Sequence, residues 1–72
     1  MKPKLANLQH GINLIPEDLH WLIGKGRMNP DEKLYGCVIL DQGGNTVGEG
    51  ESDDLMDAVA EALADLKRRT AS

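Results

Sequence analysis

The sequence predicts an α+β fold in which a helix precedes a small antiparallel sheet or hairpin and a C-terminal helix packs across it. Three observations support this prediction. Residues 35–41 contain a short apolar run typical of a strand, and residues 42–45 hold a Gly-Gly turn before a short return strand. Residues 52–69 carry apolar side chains at helical spacing. We therefore expect one small domain spanning residues 1–72.

The first helix is predicted over Ile15–Ile23, where apolar residues recur at helical spacing. Pro16 suits the first helical position, and the two acids that follow it favour the positive end of the helix dipole. Gly24 and Gly26 are expected to end this helix. Residues 1–14 show no clean periodicity, so we expect an irregular arm there.

The remaining segments have recognisable start and stop signals. Residues 29–32, Asn-Pro-Asp-Glu, predict a single helical turn. Gly48 and Gly50 lie on one face of the return strand, a pattern typical of a bulge or of close backbone approach. Ser52 is the expected N-cap of the C-terminal helix, and residues 70–72 are expected to fray. The predicted core comprises Leu19, Leu22, Ile23, Val38, Leu40, Leu55, Val59, Leu63 and Leu66.

Composition narrows the possible classes of protein. One cysteine excludes an internal disulfide, and two aromatic residues are too few for an RNA-stacking surface. The net charge of −4 disfavours general nucleic-acid binding. We find no secretory leader and no apolar run long enough for a membrane span, so we expect a cytoplasmic protein without a membrane partner.

The motifs and residue types that often form catalytic or ligand-binding sites have purely structural explanations in this sequence. The sequence Gly24-Lys25-Gly26-Arg27 has the glycines of a phosphate loop, but it follows a predicted helix and lacks the next Ser or Thr. His10, His20 and Cys37 match no usual metal-site spacing, and Cys37 lies in an apolar run. We therefore expect no catalytic residue, no metal and no cofactor, so the protein should not be an enzyme.

Charge is strongly segregated along the chain. Between Lys33 and Lys67 there are eight acids and no Lys or Arg. This pattern indicates either a solvated helix face or a surface complementary to a basic partner. Trp21, beside the apolar face of its predicted helix, either anchors an interface or covers the edge of the core. The candidate partner-binding residues are Glu49, Glu51, Asp53, Asp54, Asp57, Glu61, Asp65 and Trp21, with Asp57, Glu61 and Asp65 expected to face solvent.

Two families share parts of this pattern. Residues 16–69, with Ala58, Ala60, Ala62, Ala64, Leu66 and Lys67 as the closest match, resemble small phage α/β sandwich domain proteins. Residues 35–66 resemble the strands and following helix of HicB-type antitoxins, although the usual extra strand of that family is missing. The first resemblance implies a small phage accessory protein, and the second implies a regulator linked to nucleic acid. Neither resemblance supplies a functional residue.

Together these features predict a non-enzymatic binding protein that occupies a basic surface of a macromolecular protein partner. Its expected role is that of a phage-encoded inhibitor or accessory protein. The alternative is a nucleic-acid-linked regulator of the antitoxin type, in which basic residues near both termini contact phosphates: Lys2, Lys4, Lys67, Arg68 and Arg69. A third alternative is a small-ligand pocket against Gly48 and Gly50. Because the chain is small, we also expect a homodimer, formed through Tyr35–Leu40 as an edge strand or through the Trp21 region.

Overall fold

The computed structural model describes residues 2–26 and 29–71, which adopt the predicted α+β fold. The strands are antiparallel and lie in the order β1-β2-β3. Helix α2 packs across β3 and β2 and also contacts α1. In chain order the elements are α1 (Leu8–Asn13), β1 (His20–Lys25), β2 (Tyr35–Leu40), β3 (Thr46–Ser52) and α2 (Leu55–Thr70).

The hairpin between β2 and β3 forms at the predicted turn. The Asp41 carboxylate accepts hydrogen bonds from the backbone N–H groups of Gly43 and Asn45, each at 2.9 Å. These bonds, that of Asn45 above all, hold the pKa of Asp41 below its usual value. Gly44 has a φ of 84°, a conformation that favours glycine. The turn chemistry that the sequence indicated is therefore the chemistry that closes the hairpin.

Helix α2 begins later than its sequence signal suggested. Asp54 is the N-cap, and its side chain accepts the backbone N–H of Asp57 at 2.9 Å. The Ser52 hydroxyl instead accepts the N–H of Asp54 at 3.2 Å, while Ser52 itself ends β3. The predicted helix is confirmed, with its first turn shifted past Ser52.

The two glycines of β3 let α2 lie directly against the sheet. A Cβ atom on Gly50 would stand 2.5 Å from Ala62 N, and one on Gly48 would stand 2.9 Å from Ala62 O. Ala58 and Ala62 are fully buried at this contact. The predicted close approach is confirmed, because the backbone of α2 lies beside both glycines. The alternative of a small-ligand pocket against Gly48 and Gly50 stays a prediction.

The first helix was predicted in the wrong place. Residues 20–25 form β1 instead, and the helix lies at Leu8–Asn13, inside the segment expected to be an irregular arm. Asn7 caps it by accepting the His10 N–H at 2.9 Å. The prediction failed because Leu19 and Ile23 are four residues apart, a spacing that also puts two side chains on one side of an extended chain. Pairing with β2 decides between the two.

The predicted helix stop at Gly24 and Gly26 is wrong for the same reason. Gly24 lies within β1, and Gly26 follows the strand with its N–H donating to the Leu34 carbonyl at 2.8 Å. Arg27, the last residue of the phosphate-loop-like motif, is outside the described residues. The predicted turn at residues 29–32 is present in the β1–β2 connection, where the Glu32 N–H donates to the Asn29 carbonyl at 3.1 Å.

The core lies between α2 and one face of the sheet. Its partly buried margin includes Leu19, Ile23 and Leu66, as predicted, and Leu5 and Leu8 from the N-terminal segment. The buried cluster is Ile15, Cys37, Ile39, Ala58, Val59, Ala62 and Leu63.

Three predicted core residues lie on the other face of the sheet. Cys37 and Ile39 face α2, so the alternation of a strand turns Val38 and Leu40 away from it. Leu22 pairs with Val38 and is 61% exposed. The apolar run in β2 is therefore not buried on both faces. The predicted core took Val38 and Leu40 from this strand, whereas the alternate residues Cys37 and Ile39 are the ones that face α2. Leu55, also predicted as core, is half-buried and lies outside the buried cluster.

Among the described residues, no helix combines the length and hydrophobicity needed to cross a membrane.

Candidate functional site

Two acids of the predicted patch bind a lysine from the start of the chain. The Lys2 Nζ atom lies 2.6 Å from the Asp57 carboxylate and 3.1 Å from that of Glu61. The hydrogen bond from Lys2 holds the pKa of Asp57 below its usual value, and both carboxylates raise the pKa of Lys2. The N-terminal segment thus neutralises part of the charge that the sequence concentrates in α2.

Asp65 was expected to face solvent, but it is buried. Its carboxylate accepts the Glu49 backbone N–H at 3.0 Å and the Arg69 Nε–H at 2.9 Å, and it also binds the Arg68 guanidinium. Burial by itself would raise the pKa of Asp65, but the Glu49 N–H and the two arginines together hold that pKa below its usual value. The solvent-facing prediction is wrong because α2 turns this side chain onto the margin of β3.

Asp53 and Asp54 have local structural roles. Asp53 accepts the backbone N–H of Leu34 at 3.0 Å, which ties the β1–β2 connection to the start of α2. Asp54 is the N-cap described above. Of the predicted acidic residues, Glu49 and Glu51 are the two that the sheet presents on its face away from α2.

We call this surface the open face. In register, one row across it runs from Leu22 through Val38 to Glu49, and the next runs from Gly24 through Gly36 to Glu51. The glycine row is a depression, since a Cβ on Gly24 would meet no atom within 4 Å and one on Gly36 would meet only a backbone oxygen at 4.0 Å.

A groove of about 770 Å³ runs from this depression around the margin of β3. Its walls on the open face are Gly36, Val38, Glu49 and Glu51, with Lys33 beside them. On the far side it reaches the cluster around Asp65. Sequence reasoning missed this surface because it assigned Leu22 and Val38 to the core.

Trp21 lies on the opposite side of the sheet from Leu22. It pairs with Ile39, which is fully buried, yet Trp21 is 38% exposed. Helix α2 packs on β3 and β2, and among the described elements β1 contacts only β2. Trp21 therefore lies on the α2 side of the sheet but on a strand that α2 does not contact, and it is accessible to solvent. Both of its predicted roles stay predictions.

The residues considered for catalysis or metal binding are dispersed. Cys37 is buried, and burial raises the pKa of its thiol. The His10 Nδ1 atom accepts the Ala6 backbone N–H at 3.0 Å. Within residues 2–26 and 29–71, no group of three or more His, Cys, Asp or Glu is arranged to hold a metal ion.

Three of the five basic residues assigned to phosphate contact in the antitoxin alternative bind carboxylates, namely Lys2, Arg68 and Arg69. The other two, Lys4 and Lys67, border a second groove of about 700 Å³ whose walls include Leu14 and Leu66.

Comparisons with protein-family models, with curated proteins and with solved structures found no match. The resemblances to phage α/β sandwich domains and to HicB-type antitoxins therefore stay predictions.

Proposed function

We propose that this protein is a non-enzymatic binding protein whose open face binds a macromolecular partner. The bound surface of the partner carries basic residues next to an apolar patch. The supporting observation is the pair of rows across that face. An apolar ridge, Leu22 and Val38, adjoins a glycine depression that ends at Glu51. An exposed lysine or arginine of the partner would lay its aliphatic stem along the depression and its charge against Glu51.

This proposal keeps the predicted class of partner and moves the binding surface. The helix acids Asp57, Glu61 and Asp65 already bind basic groups within the chain, so their attraction for a partner is reduced. Glu51 is exposed on the sheet instead, next to apolar side chains that add burial energy. Glu49 beside it is also exposed, although its carboxylate lies 3.5 Å from the Arg69 guanidinium. The resemblance to phage domains favours an inhibitor or accessory role for such a surface.

Affinity capture from the native cell, quantified by mass spectrometry, tests the proposal. The variant Glu51→Lys reverses the charge at the end of the depression, and Asp31→Lys makes the same change on the exposed β1–β2 connection. We expect at least one captured protein to fall about tenfold with Glu51→Lys and to persist with Asp31→Lys. Its capture should also decline from low to moderate salt, because exposed charges are screened.

Equal capture by both variants would contradict the role of the open face. The nucleic-acid alternative has its own test, a titration with duplex DNA at low salt, where phosphate contacts are strongest. Binding that is lost with Lys4→Glu and Lys67→Glu would favour that alternative over a protein partner.

A further inference from the structure

The two edges of the sheet are treated differently by the rest of the chain. At β3, the Glu49 N–H donates to the Asp65 carboxylate at 3.0 Å, and Arg69 donates to the Thr46 carbonyl at 3.2 Å. Side chains of α2 thus bind two outward backbone groups of this strand. Among the described residues, no other helix or strand lies along the outer side of β1, because β2 is the one such element that β1 contacts. An edge strand left in this state is a template for another strand.

The register shows which residues of β1 present their backbone groups outward. The Gly26 N–H donates to the Leu34 carbonyl of the neighbouring strand. The alternation of an antiparallel ladder therefore directs the backbone N–H and C=O groups of residues 20, 22 and 24 toward β2. The Glu49 N–H, which points away from β2, agrees with the same alternation on the other side of the sheet. The outward residues of β1 are therefore Trp21, Ile23 and Lys25.

We propose that β1 pairs antiparallel with β1 of a second copy of this chain, joining the two sheets into one of six strands. A two-fold axis perpendicular to the sheet places both α2 helices on the same side of the joined sheet. Each residue of β1 must therefore oppose a residue of the second copy whose side chain points to the same face. The axis then passes through a residue position. Centring it on Ile23 is the choice that pairs all three outward residues within the strands.

This register is complementary in shape and charge. Trp21 of each chain lies opposite Lys25 of the other, which places an ammonium group against an exposed indole ring. The two Ile23 side chains meet at the axis. On the open face, Leu22, which is 61% exposed, lies opposite the bare backbone of Gly24 and covers it. Leu22 of the second copy covers the Gly24 end of the depression, while the part of the open face from Gly36 to Glu51 remains accessible. The two open faces become continuous.

The first experiment measures mass by sedimentation equilibrium from about 10 to 500 µM, a range that covers weak edge-to-edge association. We expect the mass to rise with concentration from 7.8 kDa toward twice that value. Lys25→Glu should weaken the dimer at least tenfold, because it places an anion against the Trp21 ring. Lys33→Glu, the same charge change off the strand, should leave it intact. A monomer throughout, or equal effects of the two variants, would overturn the proposal.

The second experiment reads the register by cross-linking. Leu22→Cys and Gly24→Cys are separate variants at positions with open space around them. In the proposed register residues 22 and 24 of opposite chains are a directly opposed pair with Cα atoms about 4.5 Å apart, within disulfide range. Two copies of residue 22 would be diagonal neighbours roughly 7–8 Å apart, beyond that range.

We expect the mixture of the two variants to oxidise to a cross-linked heterodimer at least tenfold faster than either variant alone. The wild-type chain, whose one thiol is buried, is the control and should give no cross-link. Absence of a preferred cross-link in the mixture, or equally fast cross-linking of Leu22→Cys alone, would show that β1 does not pair in this way.

Discussion

Replacing Gly50 with alanine should unfold much of this protein, although the change adds a single methyl group. An ideal Cβ at this position lies 2.5 Å from Ala62 N, 2.5 Å from Glu61 Cβ and 2.6 Å from Ala58 O, whereas ordinary contact begins near 3.4 Å. Two of these atoms are backbone of α2, so no side chain can rotate to relieve the overlap. The helix would have to withdraw by about 1 Å from a close-packed interface.

Overpacking of a core costs typically about 1–3 kcal/mol, and we expect the upper end here because the helix moves as a unit. A core of this size supplies roughly 3–5 kcal/mol of net stability, so most of it would be lost. Urea unfolding followed by far-UV circular dichroism measures the effect. With a slope of about 1 kcal/mol/M, expected for a small domain, the midpoint should fall by about 2–3 M.

Gly36→Ala is the matched control, since Gly36 lies in the central strand and its added Cβ would meet nothing closer than 4.0 Å. It should change the stability by less than about 1 kcal/mol, in the stabilising direction, because alanine reduces the entropy of the unfolded chain. If Gly50→Ala unfolds within about 0.5 kcal/mol of the wild type, the close packing of α2 on β3 is refuted.

Three further predictions concern the core, the thiol and the Lys2 ion pairs. Leu63→Ala should cost about 2–5 kcal/mol in urea unfolding, because this side chain is buried against the sheet; an unchanged midpoint would contradict its packing. Cys37 should react with a thiol reagent in urea but hardly at all in the native protein, since burial both blocks the thiol and raises its pKa; fast native labelling would disprove this. Because the folded-state pKa of Asp57 is depressed from 3.8, its contribution to stability is present above that value and is lost as the pH falls through the folded-state pKa. Lys2→Ala should therefore lower the Tm at pH 7, and the difference from the wild type should vanish in strong acid; a difference independent of pH would exclude the ion pair as its source.

The order of charged residues along the chain does not show which of them pair in the folded protein. The sequence correctly displays eight acids without an intervening base, but a fold pairs residues that are distant along the chain. Lys2 reaches Asp57 and Glu61, and Arg69 reaches Asp65 and Glu49. The acidic patch is therefore partly neutralised within the chain, and it is smaller than the predicted one.

By itself the sequence determined those features whose cause is local. The Asp41–Asn45 turn, the strand before it, the glycine pair of β3 and the C-terminal helix all follow from turn residues, caps and periodicity within a few positions. Their causes act between neighbours in the chain, so no knowledge of distant partners was needed.

The tertiary structure alone decided which face of each strand is buried and what becomes of residues 8–25. Leu19 and Ile23 suit a helix and a strand equally well by spacing, and pairing with β2 selects the strand. Cys37 and Ile39, rather than Val38 and Leu40, face α2 because they oppose Gly50 and Gly48, the positions where that helix can approach the backbone. Which face of a strand is buried depends on which side of the sheet the helix packs against, and the sequence of a single strand does not specify that side.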